Sequence, residues 1–339
     1  MQRHAVEISL ALHEIDPAIK FIAPKNIIHG DIAERLKTEI YGRFKGYFWE
    51  QYELPKYMKK YAPDDILINL ANSAPISYKN KAATIHDTAP LRHPEWYSRK
   101  FAIAYKMLLP RVARSSRVVF SDSDFSRDEI SDLFGTDKNK IKVIYCGVGR
   151  QFQPASSKAS SENYILSVAS LEPRKNFAGL IQAFSLLNRH DTKLIIAGSP
   201  SHIFAKSELD KILPDSRMVE FAGYVDDNKL VELYRGAGLF VFPSLYEGFG
   251  LPPLEAMACG CPCAVSKAGS LPEVCGEAAL YFNPHDPADI AAKIDMILSD
   301  SELRENLIEK GLKQARKFDW KKSALELYTA IKRLQESTN

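Results

Sequence analysis

The second half of the chain alternates short runs that are apolar at nearly every position with stretches whose apolar residues recur at helical spacing. Tyr164-Ile165-Leu166-Ser167-Val168, Leu194-Ile195-Ile196-Ala197-Gly198, Val219-Glu220-Phe221 and Leu239-Phe240-Val241-Phe242 read as strands. Helices are expected over 177–188, 207–213 and 227–235. Strands without a polar face belong to a parallel sheet covered on both sides, and their alternation with helices is that of a doubly wound α/β domain.

The first half follows the same grammar less cleanly, with strands expected at 20–23, 66–70, 82–85, 118–121 and 142–145, and helices at 95–114 and 124–133. It opens directly in an amphipathic helix (Ala5, Val6, Ile8, Leu10, Leu12). A doubly wound domain normally opens with a central strand and a tight turn. Either that strand lies upstream of residue 1, or the domain is built without it. The small, polar stretch 154–161 reads as a linker, which divides the chain into 1–152, 153–318 and a last segment, 319–339. That last segment is helical, with Ala324, Leu325, Leu327, Ile331 and Leu334 on one face.

A length of 339 residues agrees with two domains. Hydrophobic residues at 45% and charged residues at 26% exclude a mainly disordered chain. No apolar run is long enough to span a bilayer, and the first residues lack the apolar core of a secretory signal. Five cysteines, an odd number, suggest a reducing cytoplasm rather than a disulfide framework. A net charge of +3 is too small to imply nucleic acid, but it is unevenly spread. Residues 1–152 hold 24 Lys and Arg against 18 Asp and Glu, and the remainder 21 against 24, so the first half is suited to an anionic partner such as a phosphate or a lipid surface.

Candidate chemistry concentrates after the strand ending at Phe242, in Pro243-Ser244-Leu245-Tyr246-Glu247-Gly248-Phe249-Gly250-Leu251-Pro252-Pro253-Leu254-Glu255. Gly248 and Gly250 allow a tight turn and close backbone approach to a ligand. Pro252-Pro253 fits a first helical turn, whose free N–H groups point back toward the loop. Glu247 then sits in the loop and Glu255 in the first helical turn, at the strand end where α/β sheets bind ligands. Two such carboxylates can accept hydrogen bonds from the hydroxyls of a ribose or a hexose. Equally, Glu255 could complement the helix dipole and Glu247 could be solvated. Arg174 and Lys175 pair two cations just before a helix, an arrangement suited to a diphosphate.

The segment from Glu247 to Glu255 resembles the E-x7-E signature of retaining GT-B glycosyltransferases of family 4. The likeness extends over roughly 5–335. Ser167-Val168-Ala169-Ser170-Leu171-Glu172-Pro173-Arg174-Lys175-Asn176 is similar to that family's phosphate-binding loop, Phe221-Ala222-Gly223-Tyr224-Val225 to its base-contact segment, and Thr84-Ile85-His86-Asp87 to its N-domain histidine loop. Phe318-Asp319-Trp320 matches the opening of its final helix. The resemblance implies two Rossmann-like domains facing a cleft, with the last helix crossing back to the N-domain. It implies a nucleotide-diphosphate sugar as donor, a glycan or lipid-linked saccharide as acceptor, no metal or other cofactor, and retention of configuration.

By the same resemblance, Arg174 and Lys175 would stabilise the departing diphosphate, Glu255 bind ribose, and Glu247 hold the donor hexose. Ser244, Gly248, Phe249, Gly250 and Leu251 would add to the grip, as would Tyr224 and Val225 at the base. His86 would reach the donor sugar, with Asp87 capping a turn or orienting the imidazole. The family usually has a further Arg where this chain has Ser170, and Arg174 is the candidate to replace it. The C-domain is most similar to mannosyltransferases of bacterial surface-polysaccharide synthesis, which makes GDP-mannose the first choice of donor. A non-catalytic sugar-nucleotide-binding partner protein is the alternative, suggested by the missing opening strand.

Cys259-Gly260-Cys261-Pro262-Cys263 lacks a second ligand pair at zinc spacing and is read as buried small hydrophobes. The stretch 41–61 carries eight aromatic residues among Arg43, Lys45, Lys56, Lys59 and Lys60. Its aromatics are expected to pack, with Phe48 and Trp49 in the core. Its cations are left open as a peripheral membrane or acceptor-phosphate patch.

Overall fold

The computed structural model describes residues 2–155, 162–187, 189, 191–198 and 218–336. The helix expected at 207–213 and residues 156–161 of the expected linker lie outside the described residues. The chain forms two compact units, Met1–Gly147 with Asp319–Asn339, and Val148–Phe318. The division therefore falls before the polar stretch and not within it. Phe152, buried with its ring 6.0 Å from that of Tyr234, ties the residues after Gly147 to the second unit.

In the first unit the described strands form two separate parallel sheets. β1 (Ile22–Ala23) pairs with β2 (Glu39–Ile40), and β3 (Leu67–Asn69), β4 (Lys81–Thr84), β5 (Val118–Ser121) and β6 (Ile141–Val143) follow one another in a second sheet. β4 and β5 are buried at every position, as a sheet covered on both faces requires. Ile85, Leu109, Val119, Ile130 and Phe134 make their core. The helix expected over 95–114 starts only at Arg99, because Pro94–Trp96 forms a 3-10 turn and the Ser98 hydroxyl caps the helix by accepting from Phe101 N–H at 3.3 Å.

The aromatic stretch departs from its expectation at one position. Trp49 is buried, its indole N–H donating to Tyr41 O at 2.7 Å, but Phe48 is 77% exposed. The helix passes through a π turn at Trp49–Glu53, which adds a residue to the turn and rotates the preceding side chains off the buried face. The helix Trp320–Glu336 packs on Gln2–Ile15. The rings of Trp320 and His4 lie 5.7 Å apart, and Tyr328 Oη donates to Asp16 Oδ2 at 2.8 Å.

The second unit is built on one parallel sheet of β7 (Glu162–Val168), β8 (Lys193–Ala197), β9 (Val219–Gly223), β10 (Ala237–Phe242), β11 (Cys263–Ser266) and β12 (Ala279–Phe282), in the order β9-β8-β7-β10-β11-β12. Counted along the unit this is 3-2-1-4-5-6, the doubly wound order, whose switch point lies between β7 and β10. Ile165, Leu194, Leu239 and Val241 meet Phe177, Ile290 and Ile294 in one continuous core. Cys259, Cys261 and Cys263 are all buried, and burial pushes the Cys259 thiol up to about 12. A thiol held that far above neutrality is an inert hydrophobe.

Candidate functional site

The switch point of the second unit gathers the predicted charged residues. The chain leaves β7 through Ala169–Glu172 into a 3-10 turn at Pro173–Lys175, and leaves β10 through Pro243–Gly250 into the helix Leu251–Ala258. Leu245 N–H donates to Arg174 O at 2.8 Å, which joins the two loops. Across them Lys175 Nζ donates to Glu247 Oε1 at 2.5 Å, and Arg174 Nη1 stands 3.5 Å from Glu247 Oε2. Arg174 Nε also donates to Glu172 Oε2 at 2.8 Å, and the Ser170 hydroxyl to Glu172 Oε1 at 2.8 Å. Glu172, Arg174, Lys175 and Glu247 thus sum to zero formal charge.

Both partners of the central pair are buried, Lys175 and Glu247 each being 7% exposed. Burial alone would push the Glu247 carboxyl up, but the Lys175 ammonium and the Arg174 guanidinium together hold it below the usual carboxylate range. Burial pulls the Lys175 ammonium down from its ordinary value, against the pull of Glu247. The pair is a desolvated ion pair, and among the described residues two of the three Lys175 N–H groups are left to donate elsewhere. Lys175 Nζ also lies 5.2 Å from the centre of the Phe242 ring.

The loop backbone is fixed from below. Ser270 N–H and Oγ both donate to Glu247 O at 3.1 Å, and Ser270 Oγ also reaches Phe249 O at 2.7 Å. Gly269 has φ +57, and a Cβ there would stand 2.5 Å from Glu247 O. Gly250, at φ +108, allows the turn into the helix, as expected. Gly248, Phe249 and Gly250 are buried, Leu251 opens the helix, and Ser244 is fully buried with its carbonyl accepting from Ser266 Oγ at 2.5 Å.

Glu255 lies in the second turn of its helix, not the first, because the helix begins at Leu251. It is buried, with Tyr234 Oη donating to its Oε2 at 3.2 Å. Tyr224 and Val225 follow β9, the edge strand, and Tyr224 is 79% exposed, so the structure sets them apart from the Glu247 cluster. The β7, β8 and β9 ends are stitched together through Ala169 N–H to Ala197 O at 3.0 Å and Gly198 N–H to Gly223 O at 2.7 Å.

The first unit holds His86 at the carboxyl end of β4. Its Nδ1 lies 2.7 Å from Asp122 Oδ2, its Nε2 3.2 Å from Leu70 O, and its backbone N–H donates to Asn72 Oδ1 at 2.7 Å. The carboxylate that orients the imidazole is therefore Asp122, at the end of β5. Asp87 instead closes its own turn, accepting from Ala89 N–H at 3.1 Å. His4 packs edge-on against His86 at 4.7 Å, and burial lowers its pKa to about 4 in spite of the nearby Asp122. Asp122 is buried, yet His86 and His4 together lower its carboxyl to about 2. His4, His86 and Asp122 offer ligand atoms within 4.8 Å of one another. Two ligands of a tetrahedral zinc stand about 3.3 Å apart, so the 2.7 Å contact has the length of a hydrogen bond and not of a metal centre. Sequence reasoning missed Asp122, His4, Ser270 and Tyr234. Asp122 had a signal, since it follows a strand end just as His86 does.

Comparison with known proteins agrees with this architecture. Residues 1–152 match the family Glycosyltransferase Family 4, and 149–314 match Glycosyl transferases group 1. The O-antigen chain mannosyltransferase B of Escherichia coli is 33% identical over 77% of this chain and 72% of its own length. The O-antigen chain mannosyltransferase RfbU of Salmonella typhimurium is 27% identical over 84% and 83%. In fold, the chain is similar to Alr3699/HepE of Anabaena, solved in complex with UDP, with a TM-score of 0.78 at 17% identity over 97% of this chain and 96% of that one. Two family matches that together run from residue 1 to 314, and a 33% identical relative covered over most of its length, show that the chain belongs to the group 1 and family 4 glycosyltransferases of GT-B fold.

Proposed function

We propose that the protein transfers mannose from a nucleotide-diphosphate sugar, GDP-mannose as first choice, to a growing surface polysaccharide of the O-antigen kind, with retention of configuration. The buried Lys175–Glu247 pair with Arg174 beside it, at the switch point of the second unit, is the observation that carries this reading. Glu247, ionised and neutralised by Lys175, can accept hydrogen bonds from sugar hydroxyls without bringing a net charge to the site. The spare N–H groups of Lys175, with Arg174, face the chemistry of a diphosphate leaving group. Glu255 would take the ribose, and His86, with its tautomer and orientation held by Asp122, would position the sugar. The names of the relatives support mannose and O antigen. Acceptor binding by the first unit, with contact to the inner membrane face through its basic surface, belongs to the same proposal.

Thermal shift and transfer assays across nucleotide sugars test the reading. GDP-mannose is expected to raise the melting temperature and to label a lipid-linked saccharide. Stabilisation by another sugar nucleotide alone would replace the donor, and no response to any would remove the reading. Glu255→Ala is expected to weaken donor binding about ten- to a hundredfold, the value of a buried charge-assisted hydrogen bond of about 1.5–3 kcal/mol. Tyr234→Phe, which removes the hydrogen bond from Tyr234 Oη to Glu255, should cost less, and calorimetric titration separates the two. Turnover is expected to persist in EDTA, because paired cations would do the work of a metal at the diphosphate. Loss in EDTA with rescue by Mg²⁺ or Mn²⁺ would assign that work to an ion. A purely binding role draws on the divided sheet of the first unit, and donor binding without transfer to any acceptor would support it.

A further inference from the structure

His86 is held by a loop as well as by a carboxylate. Asp122 meets its Nδ1, and residues 70–76, which follow β3, meet its other polar groups. Leu70 O lies 3.2 Å from Nε2, and the buried Asn72 accepts the backbone N–H through Oδ1 at 2.7 Å. A shift of this loop therefore moves the ring and the backbone of His86 together. Residues 70–76 contain no helix or strand. A segment without ladder hydrogen bonds opens at little cost unless side chains fix it.

The side chains that fix it come from the π turn at Trp49–Glu53. Gln51 Nε2 donates to Ala74 O at 2.9 Å and to Glu50 Oε1 at 2.8 Å, and Gln51 Oε1 accepts from Ile76 N–H at 3.0 Å. One orientation of the amide satisfies all three, and turning it over would set oxygen against oxygen. Ser73 Oγ donates to Glu50 Oε2 at 2.6 Å. Burial pushes the Glu50 carboxyl up from its ordinary value, against these two hydrogen bonds, and no cation of the described residues offsets it. Consecutive residues of an α-helix point about 100° apart. A π turn spreads over more residues, which lets Glu50 and Gln51 reach the same loop, and such turns recur at functional sites.

Both sides of this clamp are firm. Trp49 packs with Leu54, Tyr57 and Tyr78, and Glu53 accepts the N–H groups of Arg43 and Phe44 at 2.8 and 2.9 Å. Across the loop, Ala74 and Ile76 pack with Ala83 of β4, the strand that leads to His86. We propose that Gln51 and Glu50 are positioning residues for sugar transfer, which fix residues 70–76 and so set the place of His86. Neither touches His86, and both act through Leu70 and Asn72. The proposal rests on the reading that His86 positions the donor sugar.

The test compares Gln51→Met, which keeps the side-chain length and removes all three Gln51 hydrogen bonds, with Ser73→Ala and Ser73→Thr. Three quantities are measured on the full chain: transfer from GDP-mannose to the lipid-linked saccharide, donor affinity by calorimetric titration, and the rate at which diethyl pyrocarbonate modifies each histidine. All three tryptophans, Trp49, Trp96 and Trp320, belong to the first unit, so fluorescence checks that this unit is folded. Gln51→Met is expected to lower kcat about tenfold to a hundredfold, the scale of a misplacement of about 1 Å, with donor affinity unchanged. Modification of the buried His86 should become about tenfold faster relative to the exposed His29 and His285. Ser73→Ala should give the same pattern on a smaller scale. Ser73→Thr keeps the hydroxyl and should behave as the parent, and this pair carries the test if Gln51→Met does not fold. Unchanged turnover and modification would overturn the proposal. So would a loss of turnover without faster modification of His86, since the effect would then not pass through it. Faster modification with full turnover would overturn the reading of His86 and the proposal with it. His86→Ala, active in that case and inactive otherwise, tells the two failures apart.

Discussion

Lys175→Ala is expected to destabilise the second unit by about 3–5 kcal/mol, because it strands Glu247 as a buried carboxylate whose 2.5 Å partner is gone. The same substitution should abolish measurable sugar transfer. On its own that result could reflect unfolding. The double substitution Lys175→Met with Glu247→Gln separates the causes, since it removes both charges and keeps similar volumes. Replacing a whole buried ion pair by neutral groups is often close to neutral in stability. The double variant should therefore regain most of the lost stability in urea denaturation followed by circular dichroism, and still show no transfer. Recovery of transfer along with stability would make the pair a structural device and remove it from the proposed chemistry.

The second large effect is an acid window set by His4. Its pKa is about 4 in the folded protein against 6.5 for the free side chain, with burial as the leading cause. A group with a lowered folded pKa leaves stability intact above the unfolded value and takes it away as pH falls toward the folded one. The first unit should therefore lose about 3 kcal/mol between pH 6.5 and pH 4, at about 1.4 kcal/mol per pH unit. Asp122, held at about 2 against an unfolded 3.8, acts in the same direction but below pH 4, so the two windows do not overlap. His4→Phe keeps a ring against His86 and Trp320 and should flatten the upper window. The pH dependence of tryptophan-monitored denaturation checks this, and an unchanged slope would show that another group titrates there.

How much of this was legible in the sequence depended on the range of the interactions. The strands of the second unit are apolar on both faces, and the loops after β7 and β10 carry their charges and glycines within a few residues of a strand end, so element and site could be read together. The sequence placed Lys175 and Glu247 each at a strand end but not against each other; the doubly wound order brings them together across 72 residues. Asp122 is 36 residues from His86, and although it too follows a strand end, the nearer Asp87 looked like the natural partner. Phe48 was misplaced because helical periodicity assumes a uniform turn, which the π turn at Trp49–Glu53 breaks. The burial of His4 could not be inferred from its own helix, since the groups around it are His86 after β4, Asp122 after β5 and Trp320.

The last helix, Trp320–Glu336, completes the unit that the first residues begin. During synthesis, residues 2–147 leave the ribosome long before the segment that covers them, whereas Val148–Phe318 is whole as soon as it is made. The second unit is therefore positioned to fold first, and the first to remain unfinished until Asp319–Asn339 has been made. A chain cut short before Asp319 would keep the complete second unit and expose Ile8 and Leu12 on the first helix. The surface that such a cut uncovers would lie about three hundred residues away in sequence from the segment removed.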